Sequence, residues 1–210
     1  MLTCLVVCAW ATLFQVVAEA LHAKLARAVT KVLASSAFVA AALVGGSWVG
    51  PIGRWMTLAL LLSWLGDVLL LSHEKRPFLA GIGAFLLAHL AFAGAFIGVG
   101  VDVATTAKAA IPMLGLGAAV FWVLRERAGT LAGPVLAYIL AIVVMVSLSF
   151  GAADASHRWD LPIAATLFFI SDLCVARDRF VRPQWGNKVI GLPLYYGAQI
   201  MFAAAAGTLG

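Results

Sequence analysis

Residues 54–72 have the sequence RWMTLALLLSWLGDVLLLS, an apolar run of the length that a helix needs to cross a lipid bilayer. After Arg54, the only charged residue in this run is Asp67. Similar runs recur along the 210-residue chain, in which 64% of the residues are hydrophobic and 11% are charged. Soluble domains have roughly 45–50% apolar and about 25% charged residues. The composition therefore excludes a water-soluble fold and predicts an all-α integral membrane protein.

Charged residues and Pro- or Gly-containing breaks divide the chain into about eight candidate membrane spans, joined by short connections. The predicted spans are 2–20, 29–46, 54–72, 78–98, 107–124, 132–151, 161–177 and 189–208. Little of the chain remains for a domain outside the membrane. We therefore expect residues 1–210 to form a single transmembrane domain, a bundle of about eight helices.

Positively charged residues are distributed unevenly among the connections between these spans. The connections after the second, fourth and sixth spans contain Arg54, Lys108 and Arg158. Short connections rich in Lys and Arg remain in the cytoplasm. We therefore expect the connections after the first, third, fifth and seventh spans to be cytoplasmic, because they contain ten such residues. The net charge of +5 thus indicates topology, and no nucleic-acid partner is predicted. The ten residues of the cytoplasmic set are Lys24, Arg27, Lys75, Arg76, Arg125, Arg127, Arg177, Arg179, Arg182 and Lys188.

A few polar side chains lie inside the predicted spans, where a central charge costs at least about 2.5 kcal/mol. Each is therefore a candidate site residue. With the predicted orientation, all except His89 fall in the cytoplasmic half of the bilayer, where they can line one polar cavity. The candidates are Lys31, Asp67, His89, Tyr138, Ser171, Asp172, Tyr195, Tyr196 and Gln199.

Several of these residues also have a simpler structural interpretation. Lys31 is close enough to its helix end to extend to the membrane interface. His89 shares a helix face with three phenylalanines, so the spacing suits a packed core histidine as well as a functional one. The tyrosines suit an interfacial aromatic belt, and we interpret Gln15 and Glu19 as interfacial. The two aspartates have short side chains and apolar neighbours, which makes an interfacial role a poorer explanation for them.

Two carboxyl groups in one membrane cavity can act as an acid and a base if their environments differ. A desolvated carboxyl group favours its protonated form, whereas one beside a lysine favours its ionised form. The sequence has no His/Cys cluster, Gly-rich phosphate loop or Gly-x-Ser-x-Gly motif, so no metal or cofactor is predicted. Hydrolysis without a metal is the enzyme interpretation that remains. Proton-coupled transport of a lipid or solute is the non-enzyme alternative, although paired Gly- or Pro-broken helices are lacking.

Five blocks of this sequence share one pattern with a known protein family. They are LLSWLGDVLLL around Asp67, F-x-x-G…F-x-x-x-H from Phe78 to His89, PVLAYILAIVVM from Pro134 to Met145, LFFISD ending at Asp172, and LYYGAQ from Leu194 to Gln199. In order and spacing, these blocks resemble the YhhN family of lysoplasmalogenases. The resemblance covers most of the chain from about residue 24 onward. The family often has Lys-Pro in the second span, whereas Lys31 is followed here by Val32.

The resemblance implies a multi-pass hydrolase that cleaves the vinyl-ether bond of the lysophospholipid lysoplasmalogen. Its products would be a fatty aldehyde and glycerophosphoethanolamine or glycerophosphocholine. We expect Asp67 and Asp172 to be the acid/base pair, with either one as the acid. The Ala-rich composition favours a bacterial inner membrane. The residues expected to bind or position substrate and water are Lys31, His89, Tyr138, Ser171, Tyr195, Tyr196 and Gln199.

An intramembrane aspartyl protease is the competing enzyme class. Leu65-Gly66-Asp67 is similar to the Gly-x-Gly-Asp motif of presenilin-like proteases. However, position 64 is Trp, and the second aspartate follows Ser171 where those proteases have Tyr. The motif match is therefore partial.

Overall fold

A computed structural model describes residues 1–72 and 74–209 and contains eight α-helices in this part of the chain. A short 3-10 helix, Gly129–Leu131, joins the fifth helix to the sixth. The prediction of an all-α protein is confirmed. The helices are α1 Leu2–Ala20, α2 Lys24–Val44, α3 Pro51–Leu69, α4 Lys75–Val99, α5 Val103–Ala128, α6 Ala132–Ser156, α7 Asp160–Phe180 and α8 Trp185–Ala206.

Six helical stretches of the described residues are long and apolar enough to span a membrane. Five of them are the single helices α1, α2, α3, α4 and α8, and the sixth, Val103–Ser156, runs through α5 and α6. α7 is not one of these six stretches, because its second half carries several charged residues. Large apolar side chains such as Trp10, Ile111 and Trp122 are exposed on the outside of the bundle. Such a surface suits contact with lipid, and the chain is a multi-pass integral membrane protein.

Most helices extend beyond the predicted spans because residues interpreted as breaks belong to the helices. α2 begins at Lys24 instead of residue 29, and α8 begins at Trp185 instead of residue 189. α3 begins at Pro51, a first-turn position where the missing N–H of proline costs no helical hydrogen bond. α5 begins after Asp102, whose carboxylate accepts a 2.6 Å hydrogen bond from the Thr105 backbone N–H. This hydrogen bond lowers the pKa of Asp102.

Consecutive helices pack in pairs, α1 on α2, α3 on α4, α5 on α6 and α7 on α8. α8 is central, since it also contacts α1, α2 and α3, whereas α5 packs mainly on α6. Small residues permit close helix contacts, as at Gly94 and Gly98 of α4, which face Trp55 and Ile52 of α3. The core between the helices contains the fully buried aromatic side chains Phe38, Phe92, Phe96, Phe168 and Phe202.

The connections after α1, α3, α5 and α7 lie at one end of the bundle, which we call the site end. At the opposite end, Arg158 lies beside the first residue of α7, Asp160, with 2.8 Å between the Arg158 Nη2 and Asp160 Oδ2 atoms. Arg158 also donates a hydrogen bond to Thr208 after α8. The pairing raises the pKa of Arg158 and lowers the pKa of Asp160. These contacts tie the start of α7 to the end of α8.

Candidate active site

A cavity of about 760 Å³ lies within the half of the bundle nearest the site end, and all eight helices contribute to its lining. Charged residues surround its mouth, among them Glu19, Arg27 and Lys188. Its deeper part contains the two membrane aspartates, Asp67 of α3 and Asp172 of α7. The helix pairing therefore brings carboxyl groups that are far apart in sequence into one chamber.

Asp67 is 3% exposed and is surrounded by hydrogen-bond donors from α2 and α8. The Lys31 Nζ atom lies 3.2 Å from Asp67 Oδ1. The Tyr195 hydroxyl donates to Asp67 Oδ2 at 2.8 Å, and the Ser35 hydroxyl donates to the same oxygen at 2.5 Å. One cation and two hydroxyl donors therefore surround this carboxyl group.

Asp172 has a different set of neighbours, which come from α4 and α6. The Tyr138 hydroxyl donates to Asp172 Oδ2 at 2.8 Å. The Nε2 atom of His89 lies 3.3 Å from the same oxygen, and the His89 side chain is fully buried. This separation falls within ion-pair range, although Nε2 is not aligned for a regular hydrogen bond. In the described residues, no Lys or Arg side chain forms an ion pair with Asp172.

The other ring nitrogen of His89 has a hydrogen-bond partner on its own helix. Nδ1 lies 2.6 Å from the backbone carbonyl oxygen of Phe85, one turn earlier in α4. A carbonyl oxygen only accepts hydrogen bonds, so Nδ1 carries a hydrogen atom. Nε2 then faces the Asp172 carboxyl group with either a proton or a lone pair. The hydrogen bond to Phe85 therefore fixes the ring so that Nε2 is directed toward Asp172.

An aromatic cluster connects the surroundings of the two aspartates. The Tyr195 ring lies edge-on to Phe85 at 5.9 Å and to Phe168 at 5.4 Å between ring centroids. The His89 ring lies 4.6 Å from Phe168. Because these rings pack on one another, the Tyr195 hydroxyl and the His89 imidazole are held in fixed positions.

Gly66 gives Phe85 the space to pack at this position. A Cβ atom on Gly66 would lie 2.6 Å from the Cε2 atom of Phe85, well inside ordinary van der Waals contact. The Gly66-Asp67 pair therefore combines a charged side chain with room for the ring that packs beside it.

The remaining predicted site residues take less direct positions. Ser171 is buried at the cavity wall. The Tyr196 hydroxyl lies 3.4 Å from the Ser35 hydroxyl and is therefore one contact removed from Asp67. Gln199 is fully buried, and neither of its amide atoms has a hydrogen-bond partner among the described residues. Tyr196 and Gln199 are not part of the cavity lining.

Sequence reasoning did not include Ser35 and Glu19 among the site residues. Ser35 lies one helical turn after Lys31, so the spacing of a single helix face could have identified it. Glu19 was interpreted as interfacial. In the structure its Oε2 atom lies 3.2 Å from the Arg27 Nη1 atom and 2.9 Å from the Lys188 Nζ atom at the cavity mouth. Lys188 lies on α8, and its proximity to α1 depends on tertiary packing.

Comparison with known proteins gives one family and a consistent set of relatives. The model of the YhhN family matches residues 26–206. A protein named lysoplasmalogenase from Mycobacterium tuberculosis is 33% identical over 190 residues, which cover 81% of this chain and 68% of that protein. Human lysoplasmalogenase TMEM86B is 30% identical over 168 residues, which cover 78% of this chain and 70% of the human protein. No solved structure matches the chain.

Proposed function

The chain belongs to the YhhN family, and from this membership we propose that it is a lysoplasmalogenase, a hydrolase of the vinyl-ether bond of lysoplasmalogen. The observation that carries the proposal is the pair of carboxyl groups, Asp67 and Asp172, that face one membrane cavity from unlike surroundings. Such a difference between two carboxyl groups is the usual basis of acid/base catalysis near neutral pH. The products are a fatty aldehyde and glycerophosphoethanolamine or glycerophosphocholine.

The reaction begins with transfer of a proton to the alkene carbon distal to the ether oxygen. The resulting oxocarbenium ion is captured by water, which loses a proton to a base and leaves a hemiacetal. The hemiacetal then loses its hydroxyl proton as the glycerol oxygen gains one, and the carbon–oxygen bond breaks. One water molecule is consumed, and both enzyme groups return to their starting protonation states.

We assign the acid to Asp172, because its neighbours are Tyr138 and His89 and no Lys or Arg in the described residues forms an ion pair with it. Asp67 is assigned the role of the base. Its carboxyl group is paired with Lys31 and accepts hydrogen bonds from Ser35 and Tyr195. A carboxylate at this point stabilises the positive charge of the oxocarbenium ion and accepts the proton of the attacking water.

The alkenyl chain is proposed to lie against the apolar part of the cavity, where Ile82, Val135, Ile139 and Ile142 contribute to the lining. Burial of hydrocarbon contributes about 0.8 kcal/mol per CH₂ group. The headgroup then points to the site end. The many Lys and Arg residues of the connections there support a cytoplasmic position for this end. We propose a bacterial inner membrane, in line with the Ala-rich composition.

The proposed reaction can be tested with the purified protein in detergent, lysoplasmalogen and its ester-linked analogue. We expect aldehyde from the vinyl ether and no fatty acid from the ester. Asp67→Asn and Asp172→Asn should each lower aldehyde formation at least about 100-fold, the size of a typical acid/base contribution. Asp154→Asn, which changes a carboxylate at the opposite end of the bundle, is the matched control. Wild-type turnover by either site variant would refute the assigned chemistry.

A further inference from the structure

Three charged side chains from three helices meet at the mouth of the cavity, and we call them the rim triad. Glu19 of α1 lies between Arg27 of α2 and Lys188 of α8, with both cations on its Oε2 atom. The side chains of Glu19 and Arg27 are 14% and 23% exposed, so the triad is partly withdrawn from water. Its net charge is +1.

The rim triad retains unused hydrogen-bonding capacity. Among the described residues, the Oε1 atom of Glu19 accepts no hydrogen bond, and neither Arg27 nor Lys188 has a second side-chain partner. A guanidinium group carries five N–H donors and an ammonium group carries three. The two cations can therefore also bind an anion, and the free carboxylate oxygen can bind a cation.

The spacing of Arg27 and Lys31 along α2 suits a glycerophospholipid. Arg27 precedes Lys31 by four residues, which is about 6 Å along a helix axis, and Lys31 contacts Asp67. In lysoplasmalogen the vinyl-ether oxygen and the phosphorus atom are separated by about five bonds, or roughly 6 Å when extended. A substrate whose reacting bond lies beside Asp67 consequently places its phosphate at the level of Arg27.

We propose that the rim triad is the headgroup site, in which Arg27 and Lys188 bind the phosphate and Glu19 binds the ammonium group of ethanolamine. This inference rests on the proposed function. A primary ammonium group donates hydrogen bonds to a carboxylate, whereas a quaternary one is recognised by open aromatic faces. At the mouth, the Arg179 guanidinium already lies 4.1 Å from the centroid of the Phe78 ring. The enzyme therefore prefers the ethanolamine headgroup to choline.

The test compares three vinyl-ether substrates with the headgroups phosphoethanolamine, phosphocholine and phosphate alone. For wild type we expect the lowest KM with phosphoethanolamine. Glu19→Gln should raise this KM about 10-fold, equivalent to about 1.4 kcal/mol, with little change in kcat or in the KM of the phosphate substrate. Arg27→Gln should raise the KM of all three substrates. Arg76→Gln, which removes an exposed cation outside the cavity lining, is the control.

The alternative role of the triad is a purely structural clasp between α1, α2 and α8. A clasp predicts that Glu19→Gln lowers thermal stability and changes the KM of the three substrates by the same factor, and this result would overturn the proposal. The ratio of the KM values for two headgroups is measured within one preparation. A partial loss of folded protein therefore does not change this ratio.

Binding of saturated ether analogues, which cannot be hydrolysed by this route, separates the headgroup site from the proposed reaction. Glu19→Gln should reduce the preference of the protein for the ethanolamine analogue over the phosphate analogue about 10-fold in Kd. Aldehyde formation by wild type without this change in Kd refutes the headgroup site and leaves the reaction standing. The Kd change without aldehyde formation refutes the reaction and supports the site.

Discussion

Substitution of Gly66 by alanine tests whether the packing beside Asp67 positions the site. The new Cβ atom would lie 2.6 Å from Cε2 and 2.7 Å from Cδ2 of the Phe85 ring. Ordinary contact begins near 3.4 Å, so the ring or the α3 backbone must move by about 0.8 Å. Phe85 packs on Phe168 and Tyr195, and its carbonyl oxygen holds His89, so the movement reaches both aspartates.

Gly66→Ala should lower both the stability and the turnover of the protein. Overpacking of this kind typically costs 1–3 kcal/mol, estimated here at about 2 kcal/mol, and lowers Tm by roughly 4–8 °C for a chain of this size. Displacement of reacting groups by about 1 Å can lower kcat as much as about 100-fold. We therefore expect the loss of kcat at temperatures well below Tm, where the variant remains folded.

The measurement combines aldehyde formation with thermal unfolding followed by tryptophan fluorescence in detergent. Gly83→Ala is the matched control, because a Cβ atom on this α4 glycine meets nothing within 4 Å. Alanine at an unobstructed helix position should stabilise the protein by roughly 0.5–1 kcal/mol and leave kcat unchanged. If Gly66→Ala retains wild-type kcat and Tm, the packing of Phe85 against Gly66 does not position the site.

Three further predictions concern single contacts. His89→Gln removes the imidazole beside Asp172 but keeps a polar side chain, so kcat should fall about 100-fold with little change in KM; a defect confined to KM would contradict the assigned role. Lys31→Met leaves the buried Asp67 carboxylate without its counter-charge and should destabilise the protein by about 3–5 kcal/mol, whereas Lys31→Met combined with Asp67→Asn should restore much of the stability and no activity. Arg158 lowers the pKa of Asp160 in the folded state, so this pair contributes stability above the pKa of an unfolded aspartate, about 3.9, and loses it as the pH falls through the lower folded value. The Tm difference between wild type and Asp160→Asn should accordingly be present at pH 7 and shrink below about pH 4; a difference that does not change with pH would contradict the pairing.

Local properties of the sequence were enough to predict the helices and the two aspartates. α1 begins at Leu2 and ends at Ala20, as its apolar run predicted. Asp67 and Asp172 stood out because each carboxyl group interrupts an apolar run, and the cost of burying a charge depends mainly on the residue itself. The errors at the starts of α2 and α8 have the same origin, since Lys24 and Trp185 belong to helices that begin before the apolar runs.

The pairing of polar groups was decided by tertiary structure alone. The spacing of His89 indicated a packed helix face, and its ring does pack on Phe168, but the spacing could not show that Asp172 lies opposite. Tyr195 and Gln199 are neighbours on α8, yet Tyr195 contacts Asp67 whereas Gln199 lies outside the cavity.

Glu19 lacked a partner on its own helix and gained two from α2 and α8. Helix formation and membrane insertion depend on the free energies of residues close together in the chain, so the sequence determined that these helices form and which of their side chains carry buried charge. Which helix faces oppose one another depends on the packing of the whole bundle. Only that packing placed His89 beside Asp172 and Glu19 between two cations.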